Sequence, residues 1–241
     1  MKTLCWLISG HPSMDDSMSI IDAYVKGGCE GIEWTIPYSN PYIGQAYRFA
    51  NEINAYNNCP DMEKHLDLLA RTRAKYPDLG IFISICKENT LAIGTTRLVN
   101  FCKENKIDGI ITIGEYDQEM LDEIHEGGIK NVTEVSYYMT EAEMKGAKNA
   151  TGYVIMQAFP YPAEIEAGYT KEHLHTCIKA LRSICGEREI YCAQGIRTHD
   201  DVRFVKQAGA DGFILGSSLF NDYNDMEALA NTISGYKKAA E

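Results

Sequence analysis

The sequence has 241 residues, 45% of them hydrophobic, a length and composition that suit one domain with a sizeable core. Its 34 acidic residues outnumber its 23 lysines and arginines, and the resulting net charge of −11 argues against nucleic-acid binding. No apolar run approaches the roughly 20 residues of a membrane span, and the first residues lack a signal-peptide pattern. We therefore expect a cytoplasmic protein with no nucleic-acid or membrane partner.

Short apolar runs alternate with amphipathic stretches along the whole chain. The runs predict strands at residues 4–9, 31–36, 80–85, 108–113, 131–136, 152–157, 189–194 and 212–215. The amphipathic stretches at residues 15–28, 61–76 and 198–208 have the spacing and end signals of helices. This alternation predicts a single (β/α)8 TIM barrel, one domain over residues 1–241.

Three similar phrases stand before the second, fourth and eighth predicted strands. They read Gly-Cys-Glu-Gly-Ile-Glu, Lys-Ile-Asp-Gly-Ile-Ile and Gly-Ala-Asp-Gly-Phe-Ile. Each combines a helix end, a tight turn and a strand start, so the sequence indicates that one structural unit is reused.

The 8 cysteines are scattered and form no C-x-x-C pair. Cys5, Cys86 and Cys192 lie in strand-like runs, where cysteine is usually a small buried apolar residue. We expect reduced thiols, as in a cytosolic protein, rather than disulfides. The histidines do not stand at zinc-ligand spacing with the cysteines, so neither a metal nor a cofactor is expected.

Two glycine-led turns are the clearest functional signal. Gly195 follows the seventh predicted strand, and Gly216-Ser217 follows the eighth; each turn leads into a further helical segment. Glycine lets the backbone approach a ligand, and N–H groups at a helix start attract anions. In a TIM barrel this pair of loops commonly binds phosphate, although glycine here also suits a simple tight turn. Arg197 adds positive charge to the site or lies on the helix surface.

Glu33 is the candidate acid/base. Side chains alternate along a strand, so Ile32 and Trp34 share one face and Glu33 and Thr35 the other. If the larger apolar pair packs under helices, Glu33 points into the barrel, where burial raises the pKa of a carboxyl and suits it to proton transfer. The alternative is a structural glutamate bonded to a neighbouring threonine or tyrosine.

At these positions the sequence resembles the tryptophan synthase alpha subunit family. Residues 9–12 read Ser-Gly-His-Pro where the family has Gly-Asp-Pro, and residues 33–41 read Glu-Trp-Thr-Ile-Pro-Tyr-Ser-Asn-Pro where it has Glu-Leu-Gly-x-Pro-Phe-Ser-Asp-Pro. The resemblance implies cleavage of indole-3-glycerol phosphate, with Glu33 moving a proton at the indole ring. It also implies that Gly168, Gly195, Gly216 and Ser217 hold the substrate phosphate.

Several departures from the family pattern bear on activity and partners. The family's second catalytic carboxylate is replaced by Gly44, and its strand-four aspartate by Gly114 with Glu115 next to it. We therefore expect a phosphorylated substrate that need not be indole-3-glycerol phosphate. His11 and Asn40 replace aspartates of the surface that the family presents to its beta subunit, so that partnership is expected to be doubtful.

The long loops after the second and sixth strands supply further candidates. Glu164 or Glu166 is a possible replacement carboxylate, or both are ordinary solvated loop acids. The tyrosines of these loops either form an aromatic wall for a planar ligand or pack the loops; they are Tyr38, Tyr42, Tyr161 and Tyr169.

Three functions remain open on the sequence alone. The first is a carbon–carbon lyase of the alpha-subunit type, or a sugar-phosphate aldolase, epimerase or isomerase built from the same parts. The second is a barrel without catalysis that senses a phosphorylated ligand or binds a partner. The third is a nucleotide or flavin-phosphate binder, which needs the phosphate loops and not Glu33.

Overall fold

The computed structural model describes residues 1–40 and 46–241, and it describes residues 46–49 by their backbone alone. The strands close into a barrel in chain order from β1 to β8. Their bounds are Lys2–Ile8, Gly31–Thr35, Gly80–Cys86, Gly109–Ile113, Asn131–Val135, Val154–Gln157, Ile190–Ala193 and Gly212–Leu215. The predicted (β/α)8 TIM barrel is confirmed, and each predicted strand end lies within 2 residues of the observed one.

Helices follow the strands along the described chain. Helices α1 to α11 span Met14–Lys26, Ala46–Asn58, Met62–Lys75, Lys87–Ile93, Thr95–Glu104, Gln118–Glu126, Glu141–Asn149, Pro162–Glu166, Leu174–Cys185, His199–Gln207 and Met226–Ala239. Two 3₁₀ segments lie at Lys171–His173 and Ser217–Asp222. The helices predicted at residues 15–28, 61–76 and 198–208 correspond to α1, α3 and α10.

Local sequence explains where these helices begin. The Asp61 carboxylate accepts the Glu63 N–H at 3.1 Å at the start of α3, and Thr198 and Asp201 cap each other at the start of α10. Both caps satisfy N–H groups that a first helical turn leaves without partners.

Apolar side chains on one face of β2, β3 and β4 form a buried row. Trp34 on β2 pairs in register with Ile83 on β3, which pairs with Ile110 on β4. All three are almost completely buried. All eight cysteines are free, buried thiols, as the sequence predicts.

The chain divides into two compact units. One comprises Trp6–Lys26 and Glu30–Lys130, and is called the N-terminal unit below. The other comprises Met1–Cys5, Gly27–Cys29 and Asn131–Glu241, and is called the C-terminal unit. That residues 1–241 form a single domain stays a prediction.

The repeated phrases of the sequence have a physical basis in the N-terminal unit. Asp108, just before β4, accepts the backbone N–H of Ile81 at 2.8 Å and an Nη2 hydrogen of Arg73 at 2.9 Å. In return, the Asp108 N–H donates to the Ile81 carbonyl at 2.9 Å. One aspartate thus joins the starts of β3 and β4 to the end of α3.

The C-terminal unit repeats this arrangement before β8. Asp211 accepts the Ile190 N–H at 2.7 Å and a hydrogen bond from Arg182 Nη2, and its own N–H donates to the Ile190 carbonyl at 2.9 Å. The Asp-Gly pairs of these two phrases therefore mark equivalent strand starts; for the phrase before β2, reuse of the same unit stays a prediction.

Candidate active site

Glu33 lies in the middle of β2 and is 9% exposed. Strand alternation places it on the same face as Thr35, whose hydroxyl accepts the Trp6 indole N–H at 2.7 Å. Trp34, on the opposite face, is fully buried. Glu33 is thus a carboxyl group in a strand whose residues are all buried, and that it points into the barrel stays a prediction.

The chain after β2 is held by a buried asparagine. Asn89 of α4 donates from Nδ2 to the Pro37 carbonyl at 2.9 Å, and the Ile36 N–H donates to the Ser84 carbonyl at 3.0 Å. Tyr38, which follows, is 2% exposed. Tyr42 and Gly44 lie outside the described residues, so the predictions that concern them stay predictions.

A buried histidine fixes the chain after β1. His65 of α3 is 1% exposed; its Nδ1 lies 2.7 Å from the Ser9 hydroxyl and its Nε2 lies 2.8 Å from the Cys59 carbonyl. A carbonyl only accepts, so Nε2 carries the hydrogen and Nδ1 accepts from Ser9. Burial lowers the pKa of His65, which favours this neutral form. The sequence analysis missed His65, whose partner Ser9 is 56 residues away.

In the C-terminal unit, Gly195 makes the turn after β7. Its φ is +87°, and a Cβ there would lie 3.1 Å from Phe159 Cδ2, so both conformation and space require glycine. At the start of α10 the Asp201 carboxylate accepts the N–H groups of Arg197 and Thr198 at 2.9 and 2.8 Å. Part of the helix start that the sequence analysis offers to an anion is therefore occupied by Asp201. The Arg197 side chain is exposed.

The turn after β8 is the second half of the predicted phosphate site. Gly216 precedes the 3₁₀ segment Ser217–Asp222, and its carbonyl accepts the Leu219 N–H at 3.1 Å. The Ser218 hydroxyl oxygen is buried and has no hydrogen-bond partner among the described residues. A buried hydroxyl without a hydrogen-bond partner lowers the stability of the folded protein. A ligand oxygen that accepts its hydrogen would remove this cost.

The loop after β6 differs from the expectation of two solvated acids. Glu166 is exposed, but Glu164 is 2% exposed. Its carboxylate accepts the Tyr137 N–H at 3.1 Å, the Tyr161 N–H at 2.7 Å and a Gln157 side-chain hydrogen at 2.5 Å. Both oxygens accept hydrogen bonds, so Glu164 stabilises the loop in this structure. That Glu164 replaces the missing carboxylate stays a prediction.

Gly168 ends the same loop helix, α8. Its φ is +95°, its N–H donates to the Ile165 carbonyl at 2.9 Å, and no atom lies within 4 Å of the position that a Cβ would take. These features describe a helix C-cap in the left-handed conformation. The assignment of Gly168 to a phosphate stays a prediction.

Tyr169 packs edge-on against Tyr137 and Tyr138, with ring centroids 6.2 and 5.6 Å apart. For this tyrosine the packing alternative of the sequence analysis is the one observed. Tyr161 is different, because its hydroxyl donates to Gln194 Oε1 at 2.5 Å. Gln194 Nε2 in turn donates to Glu134 Oε1 on β5.

The sequence analysis missed Glu134 and Gln194. Glu134 alternates with Val135 on β5 in the way that Glu33 alternates with Trp34, so the same strand argument applied to residues 131–136 was the available signal. Gln194 has a φ of +71°, which the sequence does not indicate for a residue other than glycine.

The strand order and the alternating helices define the class of fold, a parallel (β/α)8 barrel. The model of the tryptophan synthase alpha chain family matches residues 2–240, and the chain belongs to that family.

Curated relatives agree with this assignment, and solved structures share the fold. The tryptophan synthase alpha chain of Buchnera aphidicola subsp. Baizongia pistaciae is 24% identical over 238 residues, covering 96% of this chain and 85% of its own. That of Histophilus somni is 25% identical over 222 residues, covering 90% and 80%. The fold is similar to tryptophan synthase subunit alpha from Legionella pneumophila, with a TM-score of 0.81, 17% identity and coverage of 99% and 92%.

A structure described as the tryptophan synthase complex from Pyrococcus furiosus is also similar, with a TM-score of 0.79, 18% identity and coverage of 100% and 96%. The comparisons give no support to the expectation that partnership with a beta subunit is doubtful. In the described part of the chain, no helix has both the length and the apolar character that crossing a bilayer requires.

Proposed function

We propose that this protein is a lyase that cleaves a carbon–carbon bond in a phosphorylated small molecule, in the manner of the tryptophan synthase alpha chain. Membership of that family over residues 2–240 is the observation that carries the proposal. The burial of Glu33 on β2 supports the acid/base role that the resemblance implies.

Cleavage of such a carbon–carbon bond requires two proton transfers. When a bond breaks beside a hydroxyl-bearing carbon, the hydroxyl loses its proton as it becomes a carbonyl, and the carbon that leaves with the electron pair gains one. Glu33 is proposed to move the proton at the leaving carbon, and a carboxyl placed for this contributes about 10²–10⁴-fold in rate. Gly195, Gly216 and Ser217 are proposed to hold the phosphate, with Arg197 and Tyr38 as further contacts.

The family's usual substrate is not the one we favour. Gly44 stands where the resemblance places a second carboxylate, and a missing charge-stabilising group of this kind costs about 10²–10³-fold in kcat. We expect slow or absent release of indole from indole-3-glycerol phosphate, and faster turnover of another phosphorylated compound. The alternative to indole-3-glycerol phosphate is a phosphorylated sugar that is cleaved by the same aldol chemistry. Gly44 is the observation that favours this alternative.

Replacing Glu33 with glutamine tests the proposal. Glu33→Gln is expected to lower kcat at least 100-fold on whichever phosphorylated substrate the wild type turns over, with the affinity for inorganic phosphate almost unchanged. Glu30→Gln is the matched control, because Glu30 is an exposed glutamate just before the same strand. A Glu33→Gln protein that retains wild-type kcat would exclude Glu33 as the acid/base. Absence of turnover across a panel of phosphorylated sugars and indole-3-glycerol phosphate, with phosphate still bound, would favour the non-catalytic alternative.

A further inference from the structure

We infer that Glu134 is a substrate-binding residue: its carboxylate, held by Gln194 and Tyr161, accepts a hydrogen bond from a hydroxyl group of the phosphorylated substrate. The inference rests on the proposed function, because it places this hydroxyl on the molecule whose phosphate is bound at Gly195, Gly216 and Ser217. It adds a specificity determinant that the family resemblance does not supply.

The position of Glu134 on β5 is the first argument. Thr133 lies against α7, since its Oγ1 is 3.1 Å from the position that a Cβ on Gly146 would take. Alternation then puts Glu134 on the face of β5 opposite that helix, and Val135 is fully buried on the helix side. Glu134 is nevertheless exposed. A charged group near the C-terminal end of a barrel strand, turned away from the covering helix, is placed where such barrels bind substrates.

The direction of the hydrogen bonds is the second argument. The Tyr161 hydroxyl donates to Gln194 Oε1, which leaves the amide nitrogen of Gln194 to donate to Glu134 Oε1. A carboxylate only accepts, so the reverse orientation of the amide is excluded. The hydrogen bonds thus run from Tyr161 through Gln194 to the carboxylate of Glu134. A carboxylate has about four acceptor positions on its two oxygens, so a ligand group that donates, such as a hydroxyl, suits it.

The backbone of Gln194 is the third argument. Its φ of +71° lies in the left-handed region, which a residue with a side chain adopts at a cost. The next residue is Gly195, the glycine of the turn after β7. Gln194 thus connects the two parts of the proposed site. Its backbone leads into the Gly195 turn, and its side chain donates to the Glu134 carboxylate. We assign it as a positioning residue.

The negative charge of Glu134 predicts which phosphate esters the proposed site prefers. A carboxylate near a bound phosphate dianion repels it and weakens phosphate binding by itself. A hydrogen bond to a charged acceptor is worth roughly twice a neutral one, so a hydroxyl on the ligand offsets this repulsion. The arrangement therefore selects for phosphate esters that carry hydroxyl groups over those that do not.

The test compares two phosphate esters with the same three-carbon chain, glycerol 3-phosphate and n-propyl phosphate, by isothermal titration calorimetry on the full chain. For the wild type we expect tighter binding of glycerol 3-phosphate. In Glu134→Gln, glycerol 3-phosphate should bind about tenfold more weakly, while n-propyl phosphate binds equally well or more tightly because the repulsion is removed. Glu187→Gln makes the same charge change at an exposed residue before β7 and should leave both affinities unaltered.

Gln194→Leu tests the positioning role. It should lower the preference for glycerol 3-phosphate in the same direction as Glu134→Gln, without weakening n-propyl phosphate. The outcomes separate the two proposals. If neither ester binds the wild type, the phosphate grip of the proposed function is refuted and this assignment with it. If both esters bind and the ratio of their affinities is the same in the wild type and Glu134→Gln, the assignment to Glu134 is refuted and the proposed function stands.

Discussion

Arg73 offers a measurement of what the repeated Asp–Arg unit contributes to stability. Its side chain is 10% exposed and donates hydrogen bonds to a carboxylate and to a series of backbone carbonyls at the end of α3 and before β4. Those acceptors are the carbonyls of Tyr76, Pro77, Leu79, Asn105 and Lys106 and the Oδ2 atom of Asp108. Arg73→Ala leaves all of them without this donor.

The structure sets the expected magnitude. Removing one partner of a buried charged network costs about 3–5 kcal/mol. The Asp108 side chain is 44% exposed and regains water, so we expect the low end, about 3 kcal/mol. Arg182 is the equivalent residue of the C-terminal unit, but its side chain is 33% exposed and it donates to two carbonyls besides Asp211. Arg182→Ala should therefore cost about 1–2 kcal/mol.

Equilibrium urea denaturation followed by circular dichroism measures these free energies of unfolding. Arg71→Ala is the control on the same helix. Arg71 pairs with Asp67 at 3.4 Å, with both side chains more than half exposed, so its loss should change the free energy of unfolding by less than about 0.5 kcal/mol. The reasoning is refuted if Arg73→Ala costs no more than Arg71→Ala, or if Arg182→Ala costs more than Arg73→Ala.

Three further predictions concern the candidate site. Burial holds the pKa of His65 below its usual value near 6.5, so the free energy of unfolding should fall as the pH drops below about 6.5, and urea titrations of His65→Asn should show a shallower decline. Glu164→Ala deprives the buried N–H of Tyr137 of its acceptor and should cost about 2 kcal/mol by the same assay, whereas Glu166→Ala should stay within about 0.5 kcal/mol. Gly195→Ala is expected to weaken inorganic phosphate binding in calorimetry at least about tenfold, because its φ of +87° and the Phe159 ring both oppose a Cβ; unchanged binding would place the phosphate elsewhere.

The barrel was predictable because its strands are covered on both faces. Runs such as the Gly-Ile-Phe-Ile-Ser-Ile-Cys of β3 contain few interruptions, and glycine or proline marks most of their ends. The Asp-Gly phrases were recognised as repeats, but their meaning needed Arg73 and Arg182. From the sequence alone, an arginine on a helix is expected to be exposed to solvent. Only the structure shows the carbonyls that Arg73 and Arg182 bind.

Some residues of the candidate site have a signal in the local sequence and others have none. Glu33 and the glycine turns follow from strand alternation and loop position, which are local properties. The burial of Glu164 also had a local signal, because Pro162 at the first helical position and a glutamate three residues after Tyr161 are a helix-start pattern. His65 had none, since its bonds to Ser9 and Cys59 depend on how α3 packs.

Asp201 shows why a helix start alone is a poor guide to an anion site. The N–H groups at the start of α10 were expected to attract an anion, but two of them, those of Arg197 and Thr198, donate to the carboxylate of Asp201 in the first turn of the same helix. The phosphate that we propose to bind at Gly195 would then share this turn with the Asp201 carboxylate, and the residue before it, Gln194, is bonded to a second carboxylate, Glu134. These two carboxylates should make inorganic phosphate bind more weakly at this turn than a phosphate ester whose organic part carries hydrogen-bond donors. On the inference made above, selectivity for the organic part of the substrate would follow from this difference, because a ligand hydroxyl that donates to Glu134 offsets the repulsion.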